Sequence, residues 1–91
     1  MSKAAFDAKL AAVDALKGLE SGPQRDGALR KALGDRNNYL AAKAAQVAGE
    51  VRAQALIPRL LETFERFMTE PAKTDPQCWA KIAIVKALYL N

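Results

Sequence analysis

Through the first twenty residues apolar side chains recur every three or four positions. Phe6, Leu10, Val13, Leu16 and Leu19 share one side of a helical projection, and Lys3, Asp7, Lys9, Asp14 and Lys17 fall mostly between them. This spacing predicts an amphipathic helix over residues 2–20, capped by Ser2. "SGP" at Ser21 to Pro23 interrupts it, and Pro23 suits the first turn of a second helix, where its missing N–H has no partner to lose. That helix runs to about Leu33 with Leu29 and Leu33 inward. "GDRNN", Gly34 to Asn38, ends it with glycine and offers Asp35, Asn37 or Asn38 as the cap of a third helix over about Asn38 to Gly49. In the third helix Leu40, Ala44, Val47 and Ala48, with Val51 beyond, make the inward side. Ala41 and Ala45 lie beside them, while Lys43, Gln46 and Glu50 face away.

The clearest period follows. Ile57, Leu60, Leu61, Phe64, Phe67 and Met68 mark one face of a fourth helix. Pro58 would break that helix in its interior but is harmless in its first turn, so the start is placed near Arg52 to Gln54. "TEPAKTDP" reads as the longest loop. Its Asp75-Pro76 pair supplies an N-cap and a proline at the first position of a fifth helix running from Pro76 towards Asn91.

Composition agrees with an all-α chain. Of 91 residues 51% are hydrophobic and 26% charged, with only 5 Gly and 4 Pro, which is too apolar for disorder and too poor in turn residues for an all-β domain. A chain this short buries about 60 to 65% of the surface exposed when unfolded, so one modest core is expected. No window offers the roughly 18 to 20 apolar residues of a membrane span and the start lacks the apolar stretch of a secretion signal, which points to a cytoplasmic protein with no membrane partner.

Laying "DRNNYLAAKAAQVAG" over "DPQCWAKIAIVKALY" at an offset of 40 residues matches Asp35 with Asp75, Tyr39 with Trp79, Leu40 with Ala80 and Val47 with Ala87. A helix pair recurring at that interval lies in the range of HEAT and armadillo repeats. The segments resemble HEAT repeats, particularly the short bacterial kind, whose second helix opens with Asp-Pro and continues through small residues. Asp75, Pro76, Lys81, Ala83, Ala87 and Leu88 match that pattern, and Asp35, Leu40, Ala44, Ala45 and Gly49 match it in part. "ALIPRLLETF", with Pro58, resembles a HEAT first helix. The family's basic residue is Lys81 in one unit but Ala41 in the other, so any inter-repeat ladder of charges is incomplete.

The resemblance covers roughly Pro23 to Leu90. It implies an α-solenoid of antiparallel helix pairs, about five helices in all: a capping helix over 1–20, repeat one over 21–51 and repeat two over 52–91. It also suggests why alanine crowds the second helices, since short side chains let stacked backbones approach without overpacking.

The fifth helix carries two apolar sets, Ala80, Ala83, Ala87 and Leu88 on one side and Cys78, Ile82, Val85 and Tyr89 on another. A helix apolar nearly all round is buried on both sides. Three coverings present themselves: a further repeat in a longer solenoid, which a terminal repeat lacking a polar outer face favours; another copy of the chain; or the first helix folding back.

Chemistry has little to stand on. There is no phosphate-binding glycine loop, no nucleophile elbow and no histidine, and the lone Cys78 can form no internal disulfide, so neither a metal set nor a cofactor is expected. Glu62 and Glu65 read as a solvated face, Cys78 as a small packed residue, and Trp79 as an inter-repeat anchor. The leading expectation is a non-catalytic protein-interaction scaffold whose concave side presents Lys43, Gln46, Lys81 and Val85 to another protein. The alternative is DNA binding through Lys43 and Lys81, helped by a net charge of +4, as in the HEAT-like alkylpurine DNA glycosylases. A lyase, by similarity to bilin lyases, has no residues here to support it.

Overall fold

The Ser2 hydroxyl accepts a hydrogen bond from the Ala5 N–H at 3.2 Å, so the chain enters its first helix at the expected cap. The computed structural model describes residues 2–91, and every regular element among them is helical. In order these are α1 (Lys3–Ala15), a 3-10 turn (Leu16–Gly18), α2 (Pro23–Leu33), α3 (Asn38–Glu50), a second 3-10 turn (Gln54–Leu56), α4 (Ile57–Met68), the short α5 (Pro71–Thr74) and α6 (Trp79–Leu90).

Helices α3 and α6 run side by side in the same direction. Asn38 and Tyr39 at the start of α3 meet Asp75 and Trp79 at the start of α6, and Gly49 near the end of α3 meets Ala87 and Leu90 near the end of α6. α1 shares their sense, because Phe6 reaches Tyr39 and, further along both helices, Asp14 reaches Lys43. α2 and α4 pack beneath this row, and Arg66 near the end of α4 bonds the carbonyl of Leu33 at the end of α2. The overall extents are 36 × 31 × 16 Å. The shortest suits two layers of helices about 8–10 Å apart with Cα cylinders about 2.3 Å in radius.

The core lies between the layers. Leu29 and Leu33 of α2, Leu40 and Val47 of α3, Leu56, Leu60 and Phe67 from the α4 region and Ile84 of α6 are buried together, with Ala41, Ala44, Ala45, Ala48, Ala80 and Ala87 filling the close contacts. A single leucine truncated here costs about 2–5 kcal/mol, a large share of a small domain's stability.

Several expectations need correction. The first helix ends as α-helix at Ala15 and passes into the 3-10 turn, so Leu19 takes an extended backbone and stands exposed rather than inward. The fourth helix begins at Ile57, not near Arg52 to Gln54, because residues 52–56 are taken by the C-terminal cap of α3 and by a 3-10 turn. Pro58 stays in the first turn, where it is harmless. Its buried side is Leu60, Thr63 and Phe67, whereas Leu61 and Met68 are half-exposed. Ile57 and Phe64 lie between these extremes, partly buried at the edge of the core. Thr63 tolerates burial because its hydroxyl donates to the Arg59 carbonyl at 2.8 Å.

The stretch read as a loop contains α5, and α6 starts at Trp79 rather than Pro76. Cys78 precedes it with φ of 59°, a left-handed backbone that cannot continue a helix. Asp35 and Asp75 also differ in role. Asp35 accepts the Asn37 N–H at 2.8 Å and shapes the turn, and it is Asn37 that caps α3 by accepting from Tyr39 and Leu40. Asp75 itself accepts the N–H groups of Ala80 and Lys81, so Asn37 is its functional counterpart.

Candidate functional site

A groove of about 660 Å³ runs along the outer surface of α3 between α1 and α6. Ala42 and Ala83, both too short to fill the space between parallel helices, keep it open. Leu10 stands on the α1 side, and Trp79, Ile82 and Lys86 on the α6 side. An aromatic row crosses one end, with Phe6 to Tyr39 at 6.4 Å and Tyr39 to Trp79 at 5.2 Å between ring centroids, both edge-on. The indole N–H of Trp79 donates to Gln77 Oε1 at 2.7 Å, which leaves about half of the residue's surface to solvent.

The polar rim on the α3 side is already knitted together. Lys43 Nζ lies 3.0 Å from Asp14 Oδ1 and donates to Gln46 Oε1 at 3.4 Å, and Gln46 Nε2 donates to Glu50 Oε1 at 3.1 Å. The hydrogen bonds from Lys43 and then Lys17 hold the Asp14 carboxyl below its usual range. Lys86 lines the opposite wall and has no carboxylate within ion-pair reach among the described residues.

Of the expected contact residues, the fold therefore brings Lys43 and Gln46 into the groove. Val85 is exposed on α6 but is not part of the groove. Lys81 must be corrected: it is 8% exposed, and its ammonium donates to Asp75 Oδ2 at 3.0 Å and to the Asp75 carbonyl at 3.2 Å. It is a structural cation of the α6 N-terminus and is not available to a partner.

Asp75 is the most enclosed charge among the described residues, 1% exposed. Its Oδ1 accepts from Asn38 Nδ2 at 2.7 Å and from the Ala80 N–H at 3.1 Å, while Oδ2 accepts from the N–H and the ammonium of Lys81. Burial by itself raises the pKa of this carboxyl. The bonds from Asn38, from the two backbone N–H groups and from the Lys81 side chain outweigh that and bring it down to about 2. The arrangement is a cap that also ties α6 to the start of α3, with every acceptor position engaged.

The repeat-matching residues divide by function. Leu40, Ala44 and Ala87 are core, Gly49 sets a close helix contact, Pro58 opens α4, Ala83 floors the groove and Leu88 packs at the core edge, while Pro76 sits exposed in the loop before α6. Ile82 and Lys86 carry no sequence signal that marks them as groove residues, although Ile82 belongs to the second apolar set and is legible to that extent. Arg66, which caps the end of α2 by donating to the Leu33 and Asp35 carbonyls at 2.8 and 2.9 Å, carried no signal beyond being a charge on a polar helix side.

Among the described residues no cluster of His, Cys, Asp or Glu could hold a metal ion, and no helix is long and apolar enough to cross a membrane. No protein-family model, no curated protein and no solved structure matches this chain.

Proposed function

We propose that this chain is a non-catalytic protein-interaction module of the HEAT type, holding a segment of another protein in the groove between α1, α3 and α6. The observation that carries the reading is the groove itself. It joins an alanine floor to exposed aromatic and aliphatic walls with polar groups at its rim, the combination that receives an apolar peptide or an amphipathic helix. The solenoid reading draws support from the pairing of α2 with α3 and α4 with α6, from the shared sense of α3 and α6, and from the two-layer thickness.

The nucleic-acid reading has less support. Lys81 is buried against Asp75, which leaves Lys43, in a part-exposed ion pair with Asp14, as the lysine on which it would rest. A binding surface for duplex DNA needs a focused patch of free cations.

The test is photo-crosslinking from a reactive residue placed at Ile82 in the groove and, as a control, at Glu62 on α4. The reading expects one protein partner captured from Ile82 and not from Glu62, and lost when Trp79→Ala and Lys43→Ala are combined. Equal capture from both positions would overturn it, as would salt-sensitive retention on duplex DNA with no protein captured.

A further inference from the structure

We infer that the outer side of α6 receives α1 of a second copy of this chain, so that molecules stack head to tail and extend the row of parallel helices.

The first observation is one of register. Asn38, Ala45 and Gly49 share one stripe of α3, and this is the stripe on which α6 lies: Asn38 bonds Asp75, Ala45 is fully buried, and Gly49 abuts Ala87 and Leu90. Forty residues further on, the corresponding stripe of α6 is Cys78, Val85 and Tyr89. None of the described residues covers it. Val85 is 53% and Tyr89 89% exposed, and α1 packs on α3 instead of folding back onto α6. Among the described residues a surface in the position of a helix-docking stripe thus stands open on α6.

The second observation is of size. Where α3 offers alanine and glycine, α6 offers valine and tyrosine, so a helix seated there must itself present small residues or stand off. Such a face exists at the other end of the row. Ala4, Ala8, Ala11 and Ala15 of α1 lie on one stripe, opposite the Phe6, Leu10 and Val13 side that packs inward, and all four are exposed. Large residues on one helix against small ones on the next is the interdigitation that close helix packing needs. Two α6 faces paired about a two-fold axis would instead set Val85 and Tyr89 against their own copies, with no small surface to receive them.

Charge and direction agree with this choice. Neither Lys86 beside the α6 stripe nor Asp7 beside the alanine stripe forms an ion pair among the described residues. Because α1, α3 and α6 share one sense, α1 of the next copy continues the row by simple addition. A contact of this heterologous kind does not close on itself with two molecules and builds open chains.

The experiment measures mass against concentration by light scattering for the wild-type chain and for Tyr89→Glu and Ala8→Glu. Circular dichroism verifies that each variant keeps its helices, and Ala8→Gln and Tyr89→Ala stand in for a variant that does not. The wild type should grow beyond a dimer as concentration rises to about 1 mM. Each variant alone should stop at monomer, with association weakened on the order of tenfold or more. An equimolar mixture of the two should form a one-to-one dimer and nothing larger, since one good face of each kind remains. A wild type that stays monomeric overturns the inference. So does an Ala8→Glu chain that associates like the wild type, which is the mark of paired α6 faces.

Discussion

Gly49 and Ala87 lie so close that a Cβ added at Gly49 would stand 3.0 Å from the Ala87 Cα, with Leu90 Cδ1 at 3.2 Å. The nearest obstacle is backbone and cannot swing aside. This contact brings α6 onto α3 along the length of both helices, and it has a consequence of sign. Gly49→Ala gains about 1 kcal/mol of helix propensity but forces an overpacked contact costing about 1–3 kcal/mol, so a net loss of about 1 kcal/mol is expected. Gly27, inside α2, has nothing within 4 Å of its added Cβ. Gly27→Ala should therefore stabilise by about 0.5–1 kcal/mol. Thermal melts should move in opposite directions, by about 4–8 °C per kcal/mol for a domain of this size.

Asp75 makes the fold acid-sensitive in a defined window. Its folded pKa of about 2 lies below the ordinary carboxyl value of 3.8, so the unfolded chain binds the proton more readily. The stabilisation is complete above the unfolded pKa and is lost as pH falls through the folded one. About 2 kcal/mol should disappear between roughly pH 5 and pH 2, measured as the free energy of urea unfolding at each pH. Asp75→Ala should remove that part of the slope.

Asp75→Ala should also cost about 3 kcal/mol at neutral pH, because it strands the Lys81 ammonium, the Asn38 amide and two helix N–H groups. Adding Lys81→Met to Asp75→Ala should restore part of the loss by removing the stranded charge. Chemical denaturation of the single and double variants checks this. A double variant no more stable than Asp75→Ala alone would show that the ammonium finds water instead.

Arg52 ends α3 in the left-handed region at φ of 53°, with the Ala53 N–H bonded to the Ala48 carbonyl at 3.0 Å and its own N–H to that of Gly49 at 3.2 Å. This is a Schellman cap in a place glycine usually holds. Arg52→Gly should stabilise the protein by about 1 kcal/mol by relieving the crowding of its Cβ, read as a higher denaturation midpoint with unchanged slope.

Arg66 reaches from α4 to the open carbonyls at the end of α2. Burial and the neighbouring Arg59 work against the Arg66 cation, but its loss would leave these carbonyls without their donor, and Arg66→Gln should cost about 1.5–3 kcal/mol. Amide exchange should show the loss first in the last turn of α2.

Much of the architecture could be read directly. The breaks at Pro23 and Gly34, the inward Leu29, Leu33, Leu40 and Val47, and the all-helical class follow from local sterics and from the period of apolar residues, which act within a few positions of the chain. The α4 stripe misled because its six apolar residues are alike in sequence, yet only some have a neighbour to face. The start of α6 misled because a left-handed Cys78 is not a property of the residue type. That Lys43 and Gln46 face outward, where they line the groove, was legible because polar residues on an alanine-rich helix turn away from the core. Lys81 was misplaced because the same helix period describes a cation turned to solvent and one turned back onto Asp75.

The order of residues alone determined which stretches coil, where they stop and which sides shed water, since those preferences are settled by each residue and its nearest neighbours. Only the tertiary structure decided that Asp75 caps α6 while gripping Asn38, that α3 and α6 run close enough to need Gly49, and that Val85 and Tyr89 are left uncovered. Each of these depends on backbones distant in the chain arriving at a particular separation and angle. That separation is set by the packing of the whole core at once, and no local pattern encodes it.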